Sequence, residues 1–342
     1  MKGISTAGLG NCRALHPPPI TAASAAERES AIRRGIEPCF DLFFQSGYYR
    51  RMNKYKLLLK CLFLFSFVIL TGCTLINFDD EPGENNEKSR IFSTWWWWVE
   101  PKNHTTYLDF AAKNGINEIY YYTESFSNVD ATLIENAGKL GIKVFLLLDD
   151  YNYIWDYAPF ERAMNKFIDF QHKQPANRRF AGLHLDIEPQ EHPEYSKNLS
   201  LFHQNYLDFV VWVCSNYRSQ ARVIDFDIGW WFDDYVIYRG NRERLYKALI
   251  LEADRVCIMA YKDKAETIYN ISKEEIEFAK SLNKEIILGV ETDNLGENSD
   301  YTFYGKGLAY LNEQLSKLRT LIDYENSGIA IHYISTWYPM TR

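Results

Sequence analysis

Phe180-Ala-Gly-Leu-His-Leu-Asp-Ile-Glu188 is a short apolar run that ends in carboxylates, and it is one of a series. Lys143-Val-Phe-Leu-Leu-Leu-Asp-Asp150 and Glu285-Ile-Ile-Leu-Gly-Val-Glu-Thr-Asp293 have the same form, and an eighth run ends in Ser335-Thr-Trp-Tyr338. Strands buried on both faces of a parallel sheet read as continuous apolar runs, not alternating ones. Working outward, runs are expected at Ile91–Trp97, Glu118–Tyr122, Lys143–Leu148, Gly182–Ile187, Val223–Gly229, Arg255–Ala260, Glu285–Val290 and Gly328–Ile334. Helical stretches separate them: Thr106–Lys113, Ala131–Leu140, Phe160–Gln171, Leu199–Tyr217, Arg242–Leu251, a segment opening at Ser272, and Leu308–Leu321. Ser272 with Glu275 three positions on reads as a capping box. Eight such strand–helix units predict an α/β fold, a (β/α)8 barrel. The chain reaches Arg342 soon after the eighth run, so the eighth outer helix is expected to be missing or reduced.

The segments ahead of the barrel read differently. Residues 52–73 carry a basic start (Met52-Asn-Lys-Tyr-Lys56), an apolar stretch from Leu57 to Leu70, then Leu70-Thr-Gly-Cys73. That order describes a secretory signal, and with cysteine after Leu-Thr-Gly it resembles a bacterial lipoprotein signal with its lipobox. The resemblance implies lipid attachment at Cys73 and a bacterial cell-envelope location, anchored to a membrane and facing the periplasm or exterior. The apolar stretch of about 14 residues is short for a spanning helix, which needs roughly 20. Residues 1–51 have no lasting periodicity and read as a non-native or disordered extension, with Met52 the expected start. Residues 74–90, rich in Asp and Glu, are expected to form a flexible tether. Residues 91–342 are the barrel, about 250 residues, a usual size for that fold.

Composition narrows the chemistry. The net charge of −7, with no Lys/Arg patch beyond the N-terminal region, gives no support to nucleic-acid binding. Aromatic residues make up 16 % of the chain, including 24 Tyr and 9 Trp, a surplus that suits stacking on sugar rings as well as packing. Cys214 and Cys257 read as buried fillers, and a bridge between them stays open. No His/Asp spacing demands a metal and no glycine-rich phosphate loop appears, so neither metal nor cofactor is expected. The expected partner is a carbohydrate, and the expected state a monomer.

Barrel active sites are built where strand C-termini converge. Residues two apart in a strand share a face, so His184, Asp186 and Glu188 project together, with Glu188 at the rim. A carboxyl beside another carboxylate in a partly buried place has a raised proton affinity, as a general acid requires. Substrate contacts are expected from Trp95 and Trp97 in Trp95-Trp-Trp-Trp98, Tyr122, Glu124, Asp150, Asp227 and Trp231, with Asp263 and Trp337 near the ends of the sixth and eighth runs. His332 reads as a core histidine.

The stretch Ala181-Gly-Leu-His-Leu-Asp-Ile-Glu188 resembles the Asp-x-x-Asp-x-Asp-x-Glu signature of glycoside hydrolase family 18, the chitinase-like barrels. Gly182, Asp186 and Glu188 fit, while Ala181 and His184 replace the first two aspartates. Met259-Ala-Tyr261 matches the family's Met-x-Tyr, and Trp337 follows the eighth run, where the family carries a tryptophan under the sugar. The resemblance implies that Glu188 protonates the leaving oxygen while Asp186 and Tyr261 position a substrate N-acetyl group. A second resemblance uses the same acid. Many retaining glycosidases place an acid Glu before Pro at the fourth strand and a nucleophile Glu at the seventh, a layout met by Glu188-Pro189 and Glu291. Both routes stay open on the sequence. The expectation is an exported glycoside hydrolase acting on a polysaccharide or cell-envelope glycan. The alternative is a catalytically inactive glycan-binding lipoprotein, and a lyase or deacetylase is less favoured.

Overall fold

A computed structural model describes residues 90–296 and 299–341. Cys73, the signal and tether readings, and residues 1–51 lie outside them. The strands are β1 (Ile91–Trp96), β2 (Glu118–Tyr122), β3 (Lys143–Leu148), β4 (Gly182–Leu185), β5 (Ile224–Gly229), β6 (Tyr235–Tyr238), β7 (Asn241–Arg244), β8 (Arg255–Met259), β9 (Glu285–Glu291) and β10 (Ser327–His332). Eight of them close into a parallel barrel in the order β1-β2-β3-β4-β5-β8-β9-β10. Closure is made by β1 against β10, with Ile91 opposite Gly328 and Thr94 opposite Ile331. The fold is a (β/α)8 barrel.

The helices are α1 (His104–Lys113), α2 (Asn128–Lys139), α3 (Ala158–Lys173), α4 (Leu199–Ala221), α5 (Leu245–Glu252), α6 (Ala265–Ile271), α7 (Lys273–Ser281), α8 (Leu308–Leu321) and α9 (Ile334–Trp337). Alternate side chains of β3, β4 and β8 point to opposite faces and so divide two cores. Leu183, Leu185, Val256, Ile258, Leu146 and Leu148 join the large cluster under the helices, whereas Phe145, Leu147 and Cys257 join a small one inside the lumen. Gly182 is required by this packing, because a Cβ there would stand 2.6 Å from the Val223 carbonyl oxygen and 2.7 Å from the Phe145 ring.

Three local expectations are corrected. Arg242–Arg244 begins no helix; it is the return strand of a hairpin. Arg239 and Gly240 both take positive φ, 51° and 80°, as a two-residue primed turn demands, and Arg242 and Arg244 lie over the Tyr235 ring. The box expected at Ser272 does not form, since its hydroxyl is buried without a partner and α7 has no side-chain cap. A box does form on α2, between Ser127 and Asp130. Among the described residues the eighth outer helix is reduced, as expected, to the single turn α9. The third correction is its Trp337, which is 1 % exposed and wedges against Phe110 at 4.7 Å and Phe92 at 6.1 Å. Trp337 therefore fills the gap between the barrel wall and α1. It cannot lie under a sugar as the sequence suggested.

Candidate active site

The rim ends of β4, β5, β8, β9 and β10 bring together Asp186, Glu188, Asp227, Tyr261, Glu291 and His332. Glu188 follows β4 and is half-buried, accepting a hydrogen bond from the Gln190 side-chain amide. Among the described residues no ion pair holds it. Its carboxyl is pushed up to about 7, first by burial and then by the charges of Asp227 and Glu191. Such a group is protonated below neutrality yet able to release its proton, which is what general-acid work needs.

Asp186, one layer below, is 6 % exposed. Burial, Asp227 and Glu188 together hold it well above the usual carboxylate range. Tyr261 faces the same group. Its phenol is raised by burial and by Glu291, Asp186 and Glu188, and its ring stacks on His332 at 5.8 Å. Asp186 and Tyr261 thus both reach the neighbourhood of Glu188.

Glu291 does not present a free carboxylate. It is 3 % exposed, its Oε1 accepts from the backbone N–H groups of Thr292 and Asp293, and its Oε2 pairs with His332 Nδ1 at 2.6 Å. A nucleophile needs an oxygen open to the anomeric carbon. The nucleophile reading is corrected on that ground: Glu291 is the anchor of His332.

The expected substrate contacts separate into three groups. Trp95 and Asp227 lie in the lumen, where the Trp95 indole N–H donates to Asp227 Oδ2 at 3.2 Å. Both are fully buried and neither is a sugar platform. Asp150 and Asp263 are already engaged: Asp150 accepts from the Asn152 backbone and side-chain amides, and Asp263 is paired with Lys306. The rim itself keeps Trp97, Tyr122, Glu124 and Trp231. Trp97 stacks on Trp98 at 5.2 Å and on Tyr122 at 5.4 Å, the Tyr122 hydroxyl donates to Glu124, and Trp231 folds over Gly229 half-exposed. A cleft of about 290 Å³ opens beside them, lined by Tyr122, Glu124, Asp149, Asp150, Tyr153 and Arg162. Asp149 follows β3 beside Asp150, and burial and the charges of Asp150 and Glu191 raise its carboxyl to about 6.

Beneath the rim the lumen holds charges that the sequence reading missed. His184 lies between Asp225, 2.9 Å from Nδ1, and Asp227, 2.7 Å from Nε2. The Arg255 Nε donates to Asp225 at 2.9 Å, and its Nη1 meets Glu118 at 2.7 Å. Tyr120 stacks flat on the His184 ring, 3.5 Å between centroids. Strand parity was the available signal. Asp225 and Asp227 stand two apart on β5, as His184 and Asp186 do about β4, so all face one lumen. Cys214 and Cys257 are both free and buried, so no bridge joins them. Among the described residues no group of His, Cys, Asp and Glu is arranged to hold a metal ion.

No protein-family model matches the chain, and no curated protein matches it. Solved structures share the barrel at low identity. The C-terminal domain of a nominal chitinase from Desulfitobacterium hafniense DCB-2 is 10 % identical with a TM-score of 0.48, over 73 % of this chain and 98 % of that one. A glycoside hydrolase family 18 chitinase mutant from Cycas revoluta, in complex with (GlcNAc)4, is 11 % identical with a TM-score of 0.43, over 72 % and 95 %. The spore cortex-lytic enzyme of Bacillus megaterium is 10 % identical with a TM-score of 0.43, over 75 % and 74 %.

Proposed function

We propose that this chain is a glycoside hydrolase that cleaves a 2-acetamido glycan, with Glu188 as the general acid. The observation that carries the reading is the setting of Glu188 itself. It stands partly buried at the barrel rim, free of any ion pair among the described residues, with its carboxyl raised to about 7 by burial and a ring of acids. An acid locked in a buried pair would favour the glycan-binding alternative, and Glu188 is not locked.

The route follows from which carboxylates are free. Glu291 is saturated by His332 and two backbone amides, so the attacking group comes from the substrate. Glu188 gives its proton to the glycosidic oxygen as the C1–O bond breaks, and the acetamido oxygen closes on C1. Asp186 and the Tyr261 hydroxyl hold that acetamido group. Water then opens the ring, returning a proton to Glu188, and the anomeric configuration is retained. The lipobox-like Leu70-Thr-Gly-Cys73 supports the further proposal that the enzyme works at a bacterial envelope, tethered through Cys73.

The test is a glycan hydrolysis panel with product anomers followed by NMR, comparing the wild type with Glu188→Gln. Hydrolysis of acetamido glycans with retention, lost in the variant, is expected. Undiminished turnover by Glu188→Gln would reject the assignment.

A further inference from the structure

We propose that His184 is a constitutively charged imidazolium at the floor of the site, a positioning residue that keeps Asp227 ionised so that the proton shared by Asp186 and Asp227 rests on Asp186. Its consequence for turnover rests on the glycosidase reading; its geometry does not.

Both ring nitrogens of His184 face carboxylate oxygens, Asp225 Oδ2 at 2.9 Å and Asp227 Oδ2 at 2.7 Å. A neutral imidazole has one N–H and one lone pair. One of the two contacts would then set a lone pair against a carboxylate, whereas the imidazolium donates to both. The ring is sealed from solvent, with Tyr120 on its face and Trp95 at its edge. Counting the enclosed network gives the same answer. Glu118, Asp225 and Asp227 supply three buried negative charges against the single buried positive charge of Arg255, while Lys143 and Glu285 reach the network from its more exposed edge. A charged His184 reduces the negative excess, and an unbalanced buried charge is costly. Burial opposes the charge, but Asp227 and then Asp225 outweigh it and lift His184 to about 9.

The next link is the carboxyl pair. Asp227 Oδ2 is taken by His184 and by the Trp95 indole. The Oδ1 atoms of Asp227 and of Asp186 are buried without a hydrogen-bond partner, and Asp227 acts strongly on the Asp186 carboxyl. One proton held between the carboxyls would give both atoms a partner. The other groups facing the pair are Glu188 and Asp149 at the rim, Cys257 on β8, and Tyr261 and Tyr206. None of these supplies a positive charge, so His184 decides which carboxyl is ionised. Asp186 thereby meets the substrate uncharged, and the negative charge stays on Asp227 beside His184.

Nitrogen-15 NMR of the full-length protein with labelled histidine tests the charge directly. Both His184 ring nitrogens are expected to carry protons at pH about 8, where an ordinary histidine is neutral. A neutral ring at pH about 7 overturns the proposal. In Asp225→Asn, which removes one of the two carboxylates, the ring is expected to titrate at lower pH; an unchanged titration overturns it as well. Kinetics test the role. His184→Asn is expected to lower kcat by about tenfold or more with KM within about twofold, and to cost little further in an Asp227→Asn background. Equal losses in both backgrounds overturn the coupling. If Glu188→Gln keeps its turnover, the hydrolase reading falls while the NMR result still judges His184.

Discussion

His332 Nδ1 lies 2.6 Å from Glu291 Oε2, while its Nε2 faces the Trp97 indole nitrogen at 3.3 Å. Indole can only donate, so Nε2 is the acceptor and Nδ1 carries the proton given to Glu291. The pair fixes a ring that touches Trp95, Trp97 and Tyr261 at once. Glu291→Gln is therefore expected to slow turnover about tenfold to hundredfold, the scale on which a small displacement of groups around the reacting centre costs rate. It should not abolish turnover, and a 2-fluoro glycoside should leave no covalent adduct by mass spectrometry. A trapped glycosyl ester at position 291 would restore the nucleophile reading.

The pH profile follows from Glu188. A general acid must be protonated, and with its carboxyl raised to about 7, kcat/KM is expected to hold below that pH and to fall about tenfold per unit above it. Asp149 is one of the charges that raises Glu188. Removing a like charge eases ionisation, so Asp149→Asn should move the alkaline limb to lower pH. A limb that stays in place in this variant would mean that a different group is being titrated.

Stability should carry its own pH signature through Glu275, which is buried in α7 away from the site and raised to about 7 by burial, with Asp233 and Glu274 adding to the effect. The folded state binds this proton more tightly than the unfolded chain does. Its contribution is therefore full below pH about 4.5 and is lost as pH rises through about 7. Glu275→Gln removes that loss and should stabilise the protein at pH 8, on the order of 2 kcal/mol, with no change in kcat/KM. Urea titrations at pH 5 and pH 8 check it; equal shifts at both would mean Glu275 is ionised in the fold.

The barrel was legible because its strands alternate between two apolar environments. Lys143–Leu148 and Leu308–Leu321 have the expected bounds, and Glu118–Tyr122 does too. The hairpin after β5 was not, because Arg239-Gly240 is a turn only through backbone angles that a helical charge pattern conceals. At the site, Asp186, Glu188 and Tyr261 were found together because parity and motif spacing both point to the rim. Which carboxylates are free was invisible. That Glu291 spends its oxygens on two amides and His332, and Asp227 on His184 and Trp95, depends on chain segments far apart in sequence. The same holds for Trp337, whose neighbours Phe92 and Phe110 are more than two hundred residues away.

Trp337 closes the outer layer where a full eighth helix is wanting, so its loss should be structural. Truncating a buried tryptophan removes its transfer free energy and leaves a cavity, together about 3–5 kcal/mol. Trp337→Ala is expected to lower stability by that order while the remaining folded enzyme keeps its KM. A raised KM with unchanged Tm would return Trp337 to the sugar site.

The sugar platform is expected instead at Trp98, which is 75 % exposed and lies stacked against the nearly buried Trp97 beside Tyr122. A large aromatic face left open next to an acidic rim offers a sugar ring a surface at little conformational cost. As a platform outside the reacting subsite it should bind substrate and transition state about equally, and uniform binding changes KM without changing kcat. Trp98→Ala is therefore expected to raise KM for long oligosaccharides several-fold, roughly 1 kcal/mol by analogy with other aromatic stacking, and to leave the shortest cleavable substrate unaffected. A loss of kcat on that short substrate would place Trp98 in the reacting subsite and remove it from the platform.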